Sequence, residues 1–248
     1  MDDDDDMPTL PADTLALLQN FQNEKASAQQ KFEALKSNSE NAFAASDPNA
    51  KLTMDLFGED WQISQFWYSD ATANTLAEAL LDGADGSTSI AVVSAPSVYI
   101  ALRNILASPP WTDDDGAQRP ALRLLEYDRR FAVLGSDFEY YDYQSPLALP
   151  QDLKGKFDRI ICDPPFLSED CQAKTALTAR FLAKSWSQES LRLISCTGER
   201  MEDLITGKLY RGVGVKTTSF EVVHAKGLSN EFRCFASFEG EGWRWRSE

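Results

Sequence analysis

Histidine is nearly absent from this chain: His224 is the only one in 248 residues, and the four cysteines, Cys162, Cys171, Cys196 and Cys234, lie far apart with no C-x-x-C pair. That excludes zinc fingers, and a Ser/Cys-His hydrolase could be built only around His224. No metal site is expected. No stretch approaches the roughly 18 uninterrupted apolar residues of a membrane span, and Met1 is followed by five aspartates, the electrostatic opposite of a signal peptide. A cytoplasmic protein with reduced cysteines and no membrane association is the expectation. A basic surplus is lacking too. Acids outnumber Lys plus Arg by 39 to 24, a net charge of −15. Residues 1–60 hold 13 acids and 4 bases, and the remainder 26 and 20, so the excess is concentrated at the N-terminus. Counterion release from phosphates drives most nucleic-acid binding, so this balance favours a basic or neutral macromolecular partner over a nucleic acid, although net charge does not describe a local groove.

What the chain does contain changes character near residue 58. Residues 1–8 form an acidic tail, expected to be disordered. In 9–58, Leu15, Leu18, Phe21, Gln22, Lys25, Ala28, Phe32 and Leu35 follow near-helical spacing behind Pro11 and Asp13, and the small polar residues of 37–51 read as a linker. The third unit, 59–248, alternates two periodicities. Short β-type apolar runs fall at 89–93, 123–127, 138–141, 157–162 and 191–196; helical patterns fall at 69–81, 98–106 and 169–184. Strands separated by helices imply a parallel α/β sheet covered on both faces. Residues 215–223 and 231–238, separated by a loop carrying His224, read as an antiparallel hairpin that ends the sheet.

Five parallel strands completed by an antiparallel pair form the Rossmann-like layout of class I S-adenosylmethionine methyltransferases, a mostly parallel seven-stranded sheet. In such sheets a ligand sits beyond the carboxyl ends of the strands. Three ends carry acids: Glu126 and Asp128 after the second strand, Asp142 after the third, Asp163 after the fourth. An acid at the second end can accept the ribose hydroxyl hydrogens, and one at the third the adenine amino group. Any one alone reads as a solvated loop carboxylate. Together they point to a cofactor, most firmly at Asp128.

The sharpest motif is Asp163-Pro164-Pro165-Phe166. Methyl transfer from a sulfonium requires a nitrogen lone pair aligned behind the methyl carbon, so the catalyst chiefly positions an amine. The two prolines fix the backbone after Asp163, and Pro165, having no N–H, leaves the Pro164 carbonyl available to the amine. Asp163 is the second acceptor, and Phe166 walls the amine and stabilises developing positive charge. The motif identifies the reaction better than the substrate, because exocyclic amines of bases and protein side chains both suit it; a rigid turn closing a strand is the plain alternative. A Gly-rich turn after the first strand is missing. Ser94-Ala95-Pro96-Ser97 stands there, and small residues still permit close approach to a cofactor.

The segments Asp60 to Tyr68, Val93 to Tyr99, Glu126 to Phe131, Asp163 to Glu169 and Asn230 to Cys234 together resemble the elongation factor 1-alpha lysine methyltransferases, a family once classed as N6-adenine DNA methyltransferases. The resemblance covers about residues 8–238 in matching order. It implies S-adenosylmethionine as cofactor, S-adenosylhomocysteine as product and elongation factor 1-alpha as protein substrate. The family's S-A-P-S turn replaces the Gly-rich loop, and its common Tyr after the second proline is Phe166 here. The resemblance also gives Gln65, Phe66, Trp67 and Tyr68 a place over the methionine end of the cofactor; the alternative is that Phe66 and Trp67 are core aromatics. Trp243-Arg244-Trp245-Arg246, outside the resemblance, reads either as a terminal strand or frayed tail or as a partner-binding stripe. The expectation is a monomeric lysine methyltransferase that does not act on nucleic acid. N6-adenine methylation and a non-catalytic binding module are the other readings.

Overall fold

In the computed structural model, residues 30, 37, 51–57, 66–108, 111, 119–227 and 231–246 are described. The acidic tail, most of the proposed N-terminal helix and linker, and Gln65 lie outside them; Gln30 and Ser37 are helical and exposed.

Seven strands form one sheet: β1 (Ser89–Val93), β2 (Ala121–Glu126), β3 (Phe138–Tyr140), β4 (Arg159–Cys162), β5 (Arg192–Gly198), β6 (Lys216–Glu221) and β7 (Phe232–Ala236). Their order is β3-β2-β1-β4-β5-β7-β6. The first five are parallel; β7 runs antiparallel to both β5 and β6. The expected hairpin therefore does not simply extend the sheet, because its second strand is inserted next to β5. This is the Rossmann-like class I methyltransferase fold.

Alternation on β1 explains the two layers. Ile90 and Val92 join the core on one face, with Leu76 and Leu80 of α1 (Asp70–Leu81) and Val98 and Leu102 of α2 (Pro96–Leu106). Ala91 and Val93 join the core on the other, with Ala179 and Leu182 of α3 (Glu169–Leu182). A strand covered on both faces must be apolar throughout, as Ser89–Val93 nearly is. Complete burial of each large aliphatic side chain contributes about 1.5–3 kcal/mol. The helices begin where local chemistry dictates. Ser69 accepts from the Thr72 N–H at 3.2 Å and Ser168 from the Cys171 N–H at 3.2 Å, whereas α2 starts with Pro96 in its first turn.

Two further regions are helical in short turns: Arg129–Asp137 after β2, and a run of turns over 199–213 after β5. The C-terminal tryptophans are neither frayed nor a free stripe. Trp243 is buried with its Nε1 donating to the Phe238 carbonyl, Trp245 Nε1 donates to the Ala236 carbonyl, and Trp245 bridges Thr218 on the outer strand. Among the described residues no helix is long and apolar enough to cross a membrane.

Candidate active site

The chain crosses from one side of the sheet to the other between β1 and β4, which lie side by side with Val93 opposite Cys162. The ladder continues one residue beyond each: Asp163 N–H donates to the Val93 carbonyl at 3.0 Å, and Ser94 N–H to the Leu125 carbonyl at 2.9 Å. The Ser94–Ser97 turn and the Asp163–Phe166 turn are thereby held next to each other, at the position where open α/β sheets bind ligands. A cavity of about 290 Å³ opens there, close to the lower end of ordinary small-molecule sites.

Most of the residues anticipated from sequence meet at this cavity. Phe66, Trp67 and Tyr68 line one side, Ser94, Ala95, Pro96 and Ser97 the floor after β1, and Glu126 and Asp142 the ends of β2 and β3. Asp163, Pro164, Pro165 and Phe166 complete it. Ser94 has φ 55°, a left-handed conformation normally left to glycine, so this serine makes the sharp turn that a Gly-rich loop would otherwise make, at some cost in strain. Behind it α2 begins at the cavity with no side chain capping its N-terminus; Pro96 has no N–H and those of Val98 and Tyr99 go to the Ala95 carbonyl, so the Ser97 N–H and the positive end of the helix dipole are what the turn offers there.

Asp128, expected at the second strand end, is not among the residues that line the cavity. Its side chain is fully enclosed, accepting from the Arg130 backbone N–H at 2.9 Å and from Arg130 Nε at 2.7 Å, with Arg130 Nη2 at 2.6 Å. It caps the turn over Arg129–Asp137. Glu126 holds the cavity position instead. Its Oε1 accepts from the N–H groups of Tyr127 and Asp128 at 2.9 and 3.1 Å, which fixes the carboxyl while Oε2 has no hydrogen-bond partner among the described residues. Burial, with the Asp128 charge adding to it, pushes the Glu126 carboxyl up to about 7. Asp142 is held in the same one-sided way, its Oδ1 accepting from the Gln144 N–H at 2.9 Å.

Asp163 makes no side-chain hydrogen bond of ordinary geometry among the described residues. Burial pushes its carboxyl up to about 8; the nearby Tyr68 hydroxyl opposes the rise and the Glu126 charge adds to it. The Tyr68 hydroxyl is itself buried and lacks a hydrogen-bond partner, although it faces both Asp163 and the Cys196 thiol. Such orphan groups are rare in folded interiors and concentrate at functional sites. Phe166 is 43% exposed, with its ring 5.5 Å from that of Tyr143 and its carbonyl accepting from Gln172 Nε2 at 3.0 Å. Gln172, buried on α3, also donates to Thr197 Oγ1 at 2.9 Å, so one side chain ties the motif loop to β5.

Trp67 belongs both to the cavity wall and to the core. It lines the cavity, and it is also a core residue whose Nε1 donates to the Phe57 carbonyl at 2.8 Å and whose ring meets Phe131 edge-on. His224 and Phe232 line the cavity without a role having been foreseen for either. His224 packs its ring 5.2 Å from Tyr68 and 4.9 Å from Phe232. Ser69 N–H donates to Val223 O and Ala225 N–H to Trp67 O, so 66–69 is laced to 223–225 and carries this wall. The chain's single histidine, placed just past a strand end, was the one available signal for this wall.

The fold and the cavity at its switch point are those of a class I methyltransferase. Residues 59–240 match the model of the family described as "Probable N6-adenine methyltransferase". Three relatives are similar over nearly the whole chain. "Protein-lysine N-methyltransferase EFM5" of Saccharomyces cerevisiae is 44% identical, covering 96% of this chain and 95% of its own. "EEF1A lysine methyltransferase 1" of Gallus gallus is 41% identical (96% and 97% covered), and its Homo sapiens counterpart 35% identical (96% and 95%). The chain belongs to this methyltransferase family.

Proposed function

We propose that this protein transfers methyl groups from S-adenosylmethionine to a lysine of translation elongation factor 1-alpha. The observation that carries the chemistry is Asp163: a half-buried carboxyl at the cavity, pushed upward by loss of water and with only the Tyr68 hydroxyl beside it, next to Pro164 at the end of a cavity rimmed by aromatic rings. The names of the similar proteins support the choice of lysine and of the translation factor.

The residues present fit the cofactor. The uncapped start of α2 and the left-handed Ser94 suit a carboxylate and a close backbone approach, the open Oε2 of Glu126 suits ribose hydroxyls, and Asp142 suits an adenine amino group. S-adenosylmethionine would supply the electrophilic methyl group. The chain's part is to bring an amine into line and manage its proton. A lysine ammonium, with an ordinary pKa of about 10.4, donates to Asp163 and to the Pro164 carbonyl, while Phe166 and Tyr143 shield it from water. With its own carboxyl near 8, Asp163 is able to take a proton from the ammonium and return it to cavity water. Both the free amine and the ionised Asp163 increase as pH rises, so turnover should climb from neutrality through about pH 8. On this reading the protein works in the cytoplasm as a monomer and does not act on nucleic acid.

The test is incubation of purified elongation factor 1-alpha, and separately of duplex DNA and RNA, with labelled cofactor. Mass spectrometry should find methyl-lysine in the factor. N6-methyladenine in a nuclease digest beside an unmodified factor would overturn the reading.

A further inference from the structure

Six large apolar side chains are exposed among the described residues: Tyr127, Leu147, Phe166, Leu167, Leu177 and Val223. Leu177 lies on α3; the other five follow the carboxyl ends of strands, Tyr127 after β2, Leu147 after β3, Phe166 and Leu167 after β4, and Val223 after β6. Because β7 is antiparallel to both its neighbours, β6 runs with β5 and ends on the same edge of the sheet. Exposed apolar surface is thus concentrated around the mouth of the cavity.

Three of these residues, Leu147, Leu167 and Val223, lie outside the cavity lining, and the backbone at each is held on both sides. Thr178 Oγ1 donates to the Pro146 carbonyl at 2.9 Å and Ala148 N–H to the Ser145 carbonyl at 3.0 Å, fixing Leu147 between them. Gln172 holds the Phe166 carbonyl and Ser168 caps α3, fixing Leu167, whose side chain rests so closely over Gly198 that a Cβ there would lie 2.9 Å away. Val223 donates its N–H to Thr72 Oγ1 at 3.1 Å and accepts from Ser69 N–H at 2.9 Å. Yet their side chains remain 53%, 39% and 53% exposed. Apolar groups carried on an anchored backbone have less freedom to lose on contact, which is how pre-organised interfaces gain affinity. Beside Leu167, Glu169 and Asp170 are exposed in the first turn of α3, Asp170 pairing with Lys174 Nζ at 2.8 Å and Glu169 making no ion pair among the described residues.

We propose that this apolar rim with its acidic flank is the docking surface for a folded protein substrate, one that presents apolar side chains around the target lysine and basic residues beyond them. The proposal rests on the lysine reading above and adds how the substrate is recognised. A phosphate backbone would meet carboxylates and aliphatic tips here, a poor match for nucleic acid. A free amino acid would cover none of the three anchored residues.

The test combines Leu147→Ser, Leu167→Ser and Val223→Ser in the full chain and compares it with wild type on purified elongation factor 1-alpha at saturating cofactor. KM for the factor should rise about tenfold or more with kcat within about twofold, the pattern of lost uniform binding. Calorimetric affinity for S-adenosylhomocysteine should be unchanged, which also reports folding. If the triple variant does not fold, the single variants are each expected to raise KM by about threefold. Methylation by wild type with an unchanged KM in the variants would overturn the docking surface alone, whereas no methylation of the factor by wild type would overturn the lysine reading with it. A wild-type dimer in sedimentation that the triple variant dissociates would assign the rim to a second copy of the chain, and inhibition of wild type but not the variant by duplex DNA would assign it to nucleic acid; either outcome overturns the proposal.

Discussion

Asp158 and Asp163 flank the same strand, β4, and the chain treats them in opposite ways. At the amino end, Asp158 accepts from the Ser89 N–H at 3.1 Å and pairs with Lys184 Nζ at 3.2 Å. Around it Arg159 Nη1 donates to the carbonyls of Leu80 and Asp82, and Arg192 pairs with the Asp82 carboxylate. At the carboxyl end, Asp163 has only the Tyr68 hydroxyl beside it, with no hydrogen bond of ordinary geometry, and Glu126 and Asp142 each engage one oxygen only. The amino end has an opening of its own, about 440 Å³ against 290 Å³. Size therefore does not distinguish the site. What distinguishes it is polar groups left unsatisfied at a cost in stability, which is where binding energy and chemistry can act.

The largest test of this contrast lies within the carboxyl end itself, between Asp128, which is satisfied, and its neighbours, which are not. Asp128→Asn should lose about 3–5 kcal/mol of stability in chemical denaturation, the usual cost of breaking a buried ion pair, while cofactor affinity of the folded protein changes little. Affinity lost without stability would return Asp128 to the cofactor site. Asp163→Ala should do the reverse: turnover falls on the order of a hundredfold or more, while calorimetry finds S-adenosylhomocysteine still bound. Retained turnover would make Asp163 a turn residue. Glu126→Gln should weaken cofactor binding by about 1.5–3 kcal/mol, the range for a hydrogen bond to a charged group, and an unchanged affinity would require another ribose partner.

The smallest effect is on stability against pH. The Asp163 carboxyl, near 8 in the folded protein, lies above its ordinary 3.8. Between those limits the folded state holds a proton that the unfolded chain has released, so this residue's contribution to stability falls as pH rises through the window and stays low above it. Asp163→Asn should remove that loss, giving a gain over wild type that grows from pH 4 to pH 8 and reaches about 1–3 kcal/mol. At about 2–4 °C for each kcal/mol, thermal melts at the two pH values resolve it. Asp158→Asn, which gives up an ion pair, should show no such gain.

Much of the sheet was legible in the sequence, because its central strands are buried on both faces and must read as apolar runs. The 89–93 strand has the bounds expected, and Ser69 and Ser168 stop and start chain segments as cap chemistry requires. The place of β7 was not legible, since pairing partners depend on contacts distant in sequence. The turns over 129–137 and 199–213 have no sustained periodicity to reveal them. At the site, Glu126 and Asp128 differ by two positions on one strand end, and composition cannot say which carboxyl an adjacent arginine will claim. Arg130 claims Asp128. The wall of His224 and Phe232 depends on the lacing of 66–69 to 223–225, a contact across more than half the chain.

The insertion of β7 between β5 and β6 also governs the order in which the molecule can be finished during synthesis. When residues 216–221 leave the ribosome, the strand they will neighbour has not yet emerged, and β5 presents Ile194 to Thr197, all buried in the final structure, as an open edge. Parallel pairing of β6 directly onto β5 is an available wrong turn at that moment. Only when Phe232–Ala236 arrives can both edges close, and Trp245, bridging Thr218, follows it. The nascent chain thus keeps the β5 edge of its sheet provisional until Phe232–Ala236 has emerged, so the pairing of β6 is settled by a strand that follows it and not by the one it meets first.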